Sequence, residues 1–424
     1  MALLRRPASA TPGLEAAVAD IIAQVRSDGD AALARLTQTF DGVVPDSVEI
    51  SAGRLQRARE AISPRLAVAI GDARERIRAF HAADIPGDRT VETAAGLTCT
   101  VTYRPLSTVG LYVPGGTAPL ISTVLMLATP AQLAGCGRIV MCSPPGRDGR
   151  IAVEVLAAAS LCGVNRVFCV GGAHAVAAMA YGTATVPRCF KIFGPGNAWV
   201  TAAKQQVSLD PEGAAIDMPA GPSEVMVIAD AGAGEAGGAE FIAWDLLSQA
   251  EHGADSQVVL LTDSQELAAA VIARMQALAG ESRRSTILQQ SLAAARIIRV
   301  PDLDTAMAIA NDYAPEHLIL NTANARQLST RVESAGSVFI GRWTPEALGD
   351  YCSGPNHVLP TYGFARAHGA LGVGDFMRRM TLQEANADAL ALVGPTAEVL
   401  AEAEGLDAHR MAVRSRLASL ESVA

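Results

Sequence analysis

Residues 166–182 read "RVFCVGGAHAVAAMAYG", and residues 189–207 read "CFKIFGPGNAWVTAAKQQV". In each stretch a short apolar strand is followed by a glycine turn and then by a helix-like segment. The same order begins at "TVGLYV", residues 108–113, which precedes the turn "PGGTAP". Apolar strands that alternate with helices are typical of a parallel sheet covered on both faces. These stretches therefore predict an α/β fold.

A second series of strands follows further along the chain. It includes "EVMVIAD" at 224–230, "QVVLLTD" at 257–263, "HLILN" at 317–321 and "SVFIG" at 337–341, with helix-like segments between them. This series predicts another open α/β sheet. After about residue 372 the sequence is helical in pattern to its end and carries many charges. Such helices need a surface to pack on.

Composition excludes several classes of protein. The chain has 424 residues, which favours two or more domains. Its formal charge of −9 argues against nucleic acid as a partner, because phosphate binding needs a basic face. No stretch approaches ~20 uninterrupted apolar residues, so we expect no membrane span. The seven cysteines form no CxxC pair and predict reduced, buried thiols in a cytoplasmic protein.

The glycine turns are candidates for a ligand site. Each lies between a strand and a helix, where helix N-terminal amides favour anions and where ligands bind in open α/β sheets. None matches GxGxxG or a Walker loop. Each turn taken singly is more commonly structural. Three such turns in one sheet favour a nucleotide or another polar ligand, and the sequence leaves both open.

Polar residues of the second half form a further set of candidates. Gln249 and His252 are three residues apart on one helical face. Imidazole suits borderline metals, and aspartate supplies a hard oxygen ligand. Taken singly, each candidate is more commonly a hydrogen-bonded surface residue. The residues alone predict an α/β enzyme and leave a divalent metal open. The other candidates are Glu316, His317, Asp350, His357, Glu404 and His409.

Several segments closely resemble the signature segments of the histidinol dehydrogenase family. The resemblance runs in order from about residue 14 to about residue 417. It implies the last step of L-histidine biosynthesis, in which L-histidinol is oxidised through L-histidinal to L-histidine with two NAD and one zinc per active site. The segments are "VGLYVPGGTAPLISTVLMLATPAQLAGC", "FGPGNAWVTAAKQQV", "AIDMPAGPSEVMVIAD", "DLLSQAEHGADSQVVLLT", "YAPEHL" and "GDYCSGPNHVLPTYG".

The resemblance also implies a role for each candidate residue. His317 is the expected general base, and Glu316 is expected to activate water for the aldehyde step. The expected zinc ligands are Gln249, His252, Asp350 and His409. The expected substrate contacts are Ser223, Gln249, His252, His317, Asp350, His357, Glu404 and His409. The expected cofactor contacts are Tyr112, His174 and Asn197.

The implied architecture is a domain-swapped homodimer of two incomplete Rossmann-like domains with parallel-rich sheets and a small helical C-terminal domain. Residues 1–111 and 226–371 are expected to form the first domain, with the zinc and catalytic residues. Residues 112–225 are expected to form the NAD-binding domain. The tail at 372–424 is expected to reach into the partner's active site, which would place His409 near zinc in trans.

Two departures from the family pattern concern particular side chains. The family usually has Gln where this chain has His174, and we expect one polar group to replace the other. Pro355 stands where Thr is usual and is expected to stiffen the loop of Asp350 and His357.

Cys136 and Cys142 invite a thiohemiacetal step, but without a nearby base in sequence they are expected to be core residues.

Two rival interpretations stay open. One is a related zinc- and NAD-dependent dehydrogenase that oxidises a different primary alcohol, such as a sulfonated diol. His357 and Glu404 favour histidinol over that alternative. The other is a non-catalytic metal-binding or regulatory protein. The full set of acid, base and ligand residues argues against it.

Overall fold

The structure, a computed structural model, describes residues 4–6, 12–115, 118–218 and 221–421. The chain divides into two compact units. The first contains Met1–Asp84 and Leu106–Phe376, and the second contains Ile85–Pro105 and Met377–Ala424. In the ranges just given, no helix combines the length and the apolar character needed to cross a membrane.

The first unit begins with four helices. Two helices occupy residues 14–41, and a break at residues 62–63 divides the segment 52–82 into two more. The chain breaks there because the Ser63 hydroxyl accepts a 3.2 Å hydrogen bond from the Leu66 amide and Pro64 occupies the first helical turn. The four helices are α1 (Leu14–Asp28), α2 (Asp30–Asp41), α3 (Ala52–Ala61) and α4 (Pro64–Ala82).

A parallel sheet follows after two strands that belong to the second unit. Those two are β1 (Arg89–Ala94) and β2 (Leu97–Pro105). The elements of the parallel sheet are β3 (Thr108–Tyr112), α5 (Ile121–Leu133), β4 (Arg138–Ser143), α6 (Val153–Leu161), β5 (Arg166–Cys169), α7 (Gly172–Tyr181), β6 (Lys191–Phe193), α8 (Ala198–Leu209) and β7 (Ala215–Ile216). The strand order is β5-β4-β3-β6-β7. The first strand is therefore central, and the chain winds outward in both directions, which is the Rossmann order without its sixth strand.

The predicted second sheet has the same topology. Its elements are β8 (Glu224–Ala229), α9 (Gly238–Ala250), β9 (Gln257–Thr262), α10 (Gln265–Glu281), α11 (Ser285–Ser291), β10 (Arg296–Arg299), α12 (Leu303–Tyr313), β11 (His317–Asn321), α13 (Ala325–Ser329), β12 (Ser337–Ile340) and α14 (Glu346–Tyr351). All strand pairs are parallel, and the order is β10-β9-β8-β11-β12. Every residue of β8, β9 and β11 is buried, as expected for strands covered on both faces.

The second unit contains an antiparallel sheet and two helices. Its remaining elements are β13 (Met377–Ala385), α15 (Ala387–Ala403) and α16 (Asp407–Glu421). The prediction that the chain is helical from 372 is confirmed for 387–421 and wrong for 377–385. Those residues form β13 because β2 offers an edge, against which Met377 pairs with Pro105 and Ala385 with Leu97.

The mixed α/β fold class with parallel-rich sheets and a helical C-terminal region is confirmed. The predicted domain limits at 111/112 and 225/226 fall inside β3 and β8, so each sheet begins a few residues earlier than expected. Residues 85–105, expected in the first domain, join the tail in the second unit. The division into a zinc-bearing and an NAD-bearing domain stays a prediction.

Candidate active site

The predicted catalytic residues of the first unit lie at the amino ends of the second sheet's strands. Ser223 immediately precedes β8, and His317 is the first residue of β11. Gln249 lies in the last turn of α9, just before the loop that leads into β9. A cavity of about 630 Å³ brings these residues together. Its lining includes Ser223, Gln249, His252, Glu316, His317, Asp350 and His357.

The backbone of Glu224 positions the Glu316–His317 pair. Its amide donates a 2.8 Å hydrogen bond to Glu316 Oε2, and its carbonyl oxygen lies 3.2 Å from His317 Nδ1. These contacts form because β8 and β11 are adjacent parallel strands. A proton on Nδ1 donated to this carbonyl leaves Nε2 as the nitrogen able to accept a proton. Nε2 is buried and has no hydrogen-bond partner among the described residues.

The Glu224 side chain is itself held by a buried network. Its carboxylate forms an ion pair with Arg6 at 2.6 Å and accepts a 2.8 Å hydrogen bond from the Tyr313 hydroxyl. The Tyr362 amide donates a further hydrogen bond of 3.1 Å. The carboxylate is only 1% exposed, so it needs these partners to remain charged. The start of β8 is therefore fixed from both its backbone and its side chain.

Asp350 lies between two imidazoles. Its Oδ1 is 3.7 Å from His317 Nε2, and its Oδ2 is 3.8 Å from His252 Nε2. Its carbonyl oxygen is 3.0 Å from Nδ1 of His357. Burial opposes ionisation of Asp350, but the neighbouring rings, first of all His317, outweigh it and lower its pKa. Asp350 is therefore ionised, and its carboxylate oxygens face the Nε2 atoms of His252 and His317.

Sequence reasoning missed Glu346, which belongs to the same cluster. This carboxyl group is fully buried, and burial raises its pKa well above the ordinary value. With the Gln249 amide nitrogen turned toward it, Gln249 donates a 3.1 Å hydrogen bond to Glu346. That bond leaves the amide oxygen as the available ligand. The only sequence signal was the spacing of Glu346 and Asp350, four residues apart on one face of α14.

The cluster fits a divalent cation. Ligand atoms of His252, Glu346 and Asp350 all lie within 4.8 Å of one another. Imidazole nitrogen with carboxylate and amide oxygen is a donor set that zinc accepts, as in catalytic sites that keep a position open for substrate. The Nε2 atom of His317, which has no hydrogen-bond partner among the described residues, faces the carboxylate of Asp350. The assignment of Gln249, His252 and Asp350 as ligands stays a prediction.

Burial sets the electrostatics of the Glu316–His317 pair. Loss of solvent raises the pKa of Glu316 to about 8, despite the nearby His317 ring. Burial opposes protonation of His317, but the carboxyl groups of Glu346, Glu316 and Asp350 outweigh it and raise its pKa. Glu316 can therefore exchange protons near neutral pH, whereas the carboxyl groups around His317 keep its ring protonated there.

A second cavity, of about 1030 Å³, brings together the three predicted cofactor contacts. Tyr112, His174 and Asn197 all line it. Asn197 and Pro114 line both cavities, so the two spaces adjoin at these residues. We call the larger of these two spaces the cofactor cavity. It lies at the carboxyl ends of the first sheet's strands, where ligands bind in doubly wound folds.

The glycine turns around the cofactor cavity are tied to each other. The Tyr112 hydroxyl accepts a 3.0 Å hydrogen bond from the Gly172 amide, which joins the first turn to the second. In the third turn, Gly194 has φ +119, and a Cβ there would collide with the Tyr112 carbonyl oxygen. Asn197 caps α8 through a 3.1 Å hydrogen bond from the Val200 amide. These contacts connect the described parts of the three turns to one another and to α8.

His174 is held by the protein at one nitrogen only. Its Nε2 lies 3.2 Å from the Thr37 hydroxyl, and its Nδ1 is buried with no partner among the described residues. Burial lowers the pKa of His174 to about 4, so the ring is neutral at ordinary pH. A neutral ring with one free nitrogen can offer a single hydrogen bond to a ligand.

The remaining predicted residues lie elsewhere. Glu404 follows α15 and His409 lies in α16, and both are exposed in the second unit. Their predicted roles stay predictions. Burial raises the pKa of Cys136 to about 11 and that of Cys142 well above its ordinary value, which argues against a thiolate nucleophile and favours the interpretation as core residues.

Comparisons with known proteins agree with one another. A profile of the family described as histidinol dehydrogenase matches residues 4–417. The histidinol dehydrogenase of Vibrio vulnificus is 51% identical over 422 residues, which cover 99% of this chain and 96% of the relative. That of Xanthomonas axonopodis pv. citri is 54% identical, over 95% of this chain and 92% of the relative. The crystal structure of histidinol dehydrogenase from Elizabethkingia anophelis superposes with a TM-score of 0.95 at 41% identity, covering 99% and 96% of the two chains.

The low pKa of His174 makes a prediction about stability. A histidine with a pKa of 6.5 when unfolded and about 4 when folded stabilises the native state fully only above its unfolded pKa. Between about pH 7 and about pH 5, the unfolding free energy should therefore fall by ~2 kcal/mol more in the wild type than in His174→Gln. Urea denaturation at the two pH values measures this difference. Parallel losses in the two proteins would contradict the neutral, buried ring.

Proposed function

The chain belongs to the histidinol dehydrogenase family, and from that premise we propose how its residues carry out the reaction. It is an NAD-linked oxidoreductase of histidine biosynthesis that acts on histidinol. The observation that supports our assignment of roles is the Glu316–His317 pair, which lies beside a cation-binding cluster in a cavity adjoining a second one. A hydride acceptor held in the cofactor cavity would meet the substrate near Asn197.

We assign Gln249, His252 and Asp350 as the zinc ligands of this unit, with His409 supplied by a second copy of the chain. When bound, the cation supplies positive charge that stabilises a substrate alkoxide and offsets the carboxylates around His317. Glu346 orients the amide of Gln249 and does not itself need to bind the metal. Ser223, His357 and Glu404 are assigned to hold the substrate.

In the first half-reaction, His317 acts as general base. Its Nε2 takes the proton of the substrate hydroxyl while a hydride passes from the carbon that bears this hydroxyl to the nicotinamide ring. The products are histidinal, NADH and a protonated His317. The hydrogen bond from Nδ1 to the Glu224 carbonyl keeps the accepting nitrogen directed at the cavity. Asp350 stabilises the imidazolium that forms, because it lies 3.7 Å away.

In the second half-reaction, Glu316 activates water. Its carboxylate takes a proton from water as the oxygen adds to the aldehyde carbon, and the resulting hydrate loses a hydride to a second NAD. Loss of the hydride leaves a carboxylic acid, which releases its proton to solvent and gives the carboxylate of histidine. The pKa of Glu316, raised to about 8, makes its ionised form a stronger base than an ordinary carboxylate. Its 95% burial keeps bulk water from competing for that position.

We further propose a homodimer in which the tails are exchanged. The support is the character of the tail itself. Its helices α15 and α16 and the turn between them expose several large apolar side chains, which favours a covering partner. Exposed Glu404 and His409 are then available to another subunit's cavity. These apolar residues are Leu392, Val399, Leu400, Leu406 and Met411. We place the enzyme in the cytoplasm, where its seven free cysteines would remain reduced.

The stoichiometry tests the overall scheme. With limiting L-histidinol and excess NAD, absorbance should show two NADH per histidinol. Incubation with a chelator should abolish NADH formation, and added zinc should restore it, because the cation then again stabilises the negative charge of the substrate alkoxide. One NADH per histidinol would contradict the two-step scheme. If the enzyme fails to oxidise histidinol, the alternative function is favoured, in which the chain is a dehydrogenase for another primary alcohol.

Substitution of each member of the pair should separate the half-reactions. Glu316→Gln keeps the size of the side chain but cannot accept a proton, so it should slow the oxidation of added histidinal by about 10²–10⁴-fold and spare hydride transfer from histidinol. His317→Asn should slow the alcohol step instead. Single-turnover NADH formation from each substrate measures both effects. Equal losses on the two substrates in Glu316→Gln would contradict its assigned role.

Mixed dimers test the exchange of tails. His252→Ala and His409→Asn are each expected to be inactive alone, since each loses one zinc ligand. Subunit exchange between them should restore about a quarter of wild-type activity, because half of the dimers then contain one intact site. As a control, a chain with both substitutions mixed with wild type should give inactive mixed dimers. Tails that serve their own subunit would leave the first mixture inactive and the second mixed dimer half active.

A further inference from the structure

Asp41 has no role in the scheme above, yet it lines the cofactor cavity. It is the last residue of α2, one helical turn after Thr37. Residues four apart share a helix face. Since Thr37 contacts the His174 ring, that face is directed at the cavity. Asp41 lines the cofactor cavity and does not line the cavity that contains Glu316 and His317.

The surroundings of Asp41 disfavour a carboxylate. Its Oδ2 is buried and has no hydrogen-bond partner among the described residues. The carboxyl group also lies at the C-terminal end of a helix, where the helix dipole disfavours negative charge, and no basic residue occupies that last turn. Burial raises the pKa of the Asp41 carboxyl group. An acceptor that is this poorly satisfied in the protein is suited to donors on a ligand.

Aromatic rings lie next to Asp41 on the same cavity wall. The Phe40 ring is 6.0 Å from the His174 ring and 6.2 Å from Trp199, measured between centroids. Phe40 is 54% exposed, so its ring is open to a flat ligand. Arg147, an exposed cation, lines the same cavity. A planar surface, a carboxylate acceptor and a cation together match the base, sugar and phosphate of a nucleotide.

The direction of the cofactor follows from the junction of the cavities. The nicotinamide must approach the Glu316–His317 pair, which it can do near Asn197 and Pro114, where the cavities adjoin. The opposite end of the dinucleotide then lies in the cofactor cavity, of which Asp41 is a lining residue. That end carries the adenosine ribose, whose 2′-hydroxyl is replaced by a phosphate in NADP.

We propose that Asp41 selects NAD over NADP by accepting hydrogen bonds from the adenosine ribose hydroxyls and by repelling a 2′-phosphate. This inference rests on the assignment of the cofactor cavity in the proposed function. A carboxylate hydrogen-bonded to a hydroxyl gains a charge-assisted bond. The same carboxylate next to a phosphate dianion brings like charges together in a partly buried place.

Binding measured without turnover tests the proposal. Isothermal titration of NAD, NADP, ADP-ribose and 2′-phospho-ADP-ribose gives dissociation constants for wild type and Asp41→Asn. Wild type should bind NAD and ADP-ribose more tightly than the 2′-phosphorylated compounds. Asp41→Asn should weaken NAD binding about tenfold and strengthen NADP binding, so that the ratio of the two constants changes by about 10- to 100-fold.

The control is Asp46→Asn, which removes the same charge from an exposed residue that does not line the cavity. It should leave the ratio unchanged. Asp41→Glu keeps the charge and should retain the preference for NAD even if both nucleotides bind more weakly, and it serves as the test variant if Asp41→Asn does not fold. An unchanged ratio in Asp41→Asn, or loss of the preference in Asp41→Glu, would overturn the proposal. Failure of wild type to bind ADP-ribose would instead overturn the assignment of the cofactor cavity.

Discussion

The ion pair between Arg6 and Glu224 is the interaction on which the geometry of the Glu316–His317 pair depends. It fixes the first residue of β8, whose backbone holds both Glu316 and His317. A buried carboxylate that loses its partner is strongly destabilised, so the network with Tyr313 leaves Glu224 a single favourable position. The Glu316–His317 pair is therefore aligned by main-chain atoms of an adjacent strand, which move less than side chains do. Arg6, more than 200 residues away in the sequence, supplies the guanidinium group that keeps this strand in place.

The two parallel sheets have one topology but use opposite ends of their strands. In the first sheet, Tyr112 ends β3 and Asn197 follows β6, at the carboxyl ends where doubly wound folds bind nucleotides. In the second sheet, Ser223 and His317 lie at the amino ends of β8 and β11. This arrangement lets two similar halves face a shared boundary at Asn197, one with a cofactor cavity and one with acid–base groups. A repeated topology thus provides two different surfaces.

Sequence patterns predicted those features that depend on neighbouring residues. Strand, glycine turn and helix recur at short range, and the resemblance to a family connected Gln249 with Asp350 across a hundred residues. What was missed depends on distant partners. The strand at 377–385 exists because β2 pairs with it, and no local period indicated that edge. Glu346 and Asp41 are single carboxylates without a motif, and only the packing around them gives them a role.

The catalytic cluster is a poor arrangement for a protein that only has to fold. Glu316, Glu346 and Asp350 crowd around one imidazole, and each carboxyl group raises the pKa of its acidic neighbours or that of the ring. Replacing such a group of buried charges with apolar residues would usually stabilise a core. In the proposed function a bound cation offsets this arrangement: Asp350 becomes a ligand, and the positive charge counters the carboxyl groups that hold the His317 ring protonated, so that the ring can act as a base. The same reasoning applies to Asp41, whose unsatisfied oxygen is costly in the free protein and useful only when a sugar hydroxyl meets it.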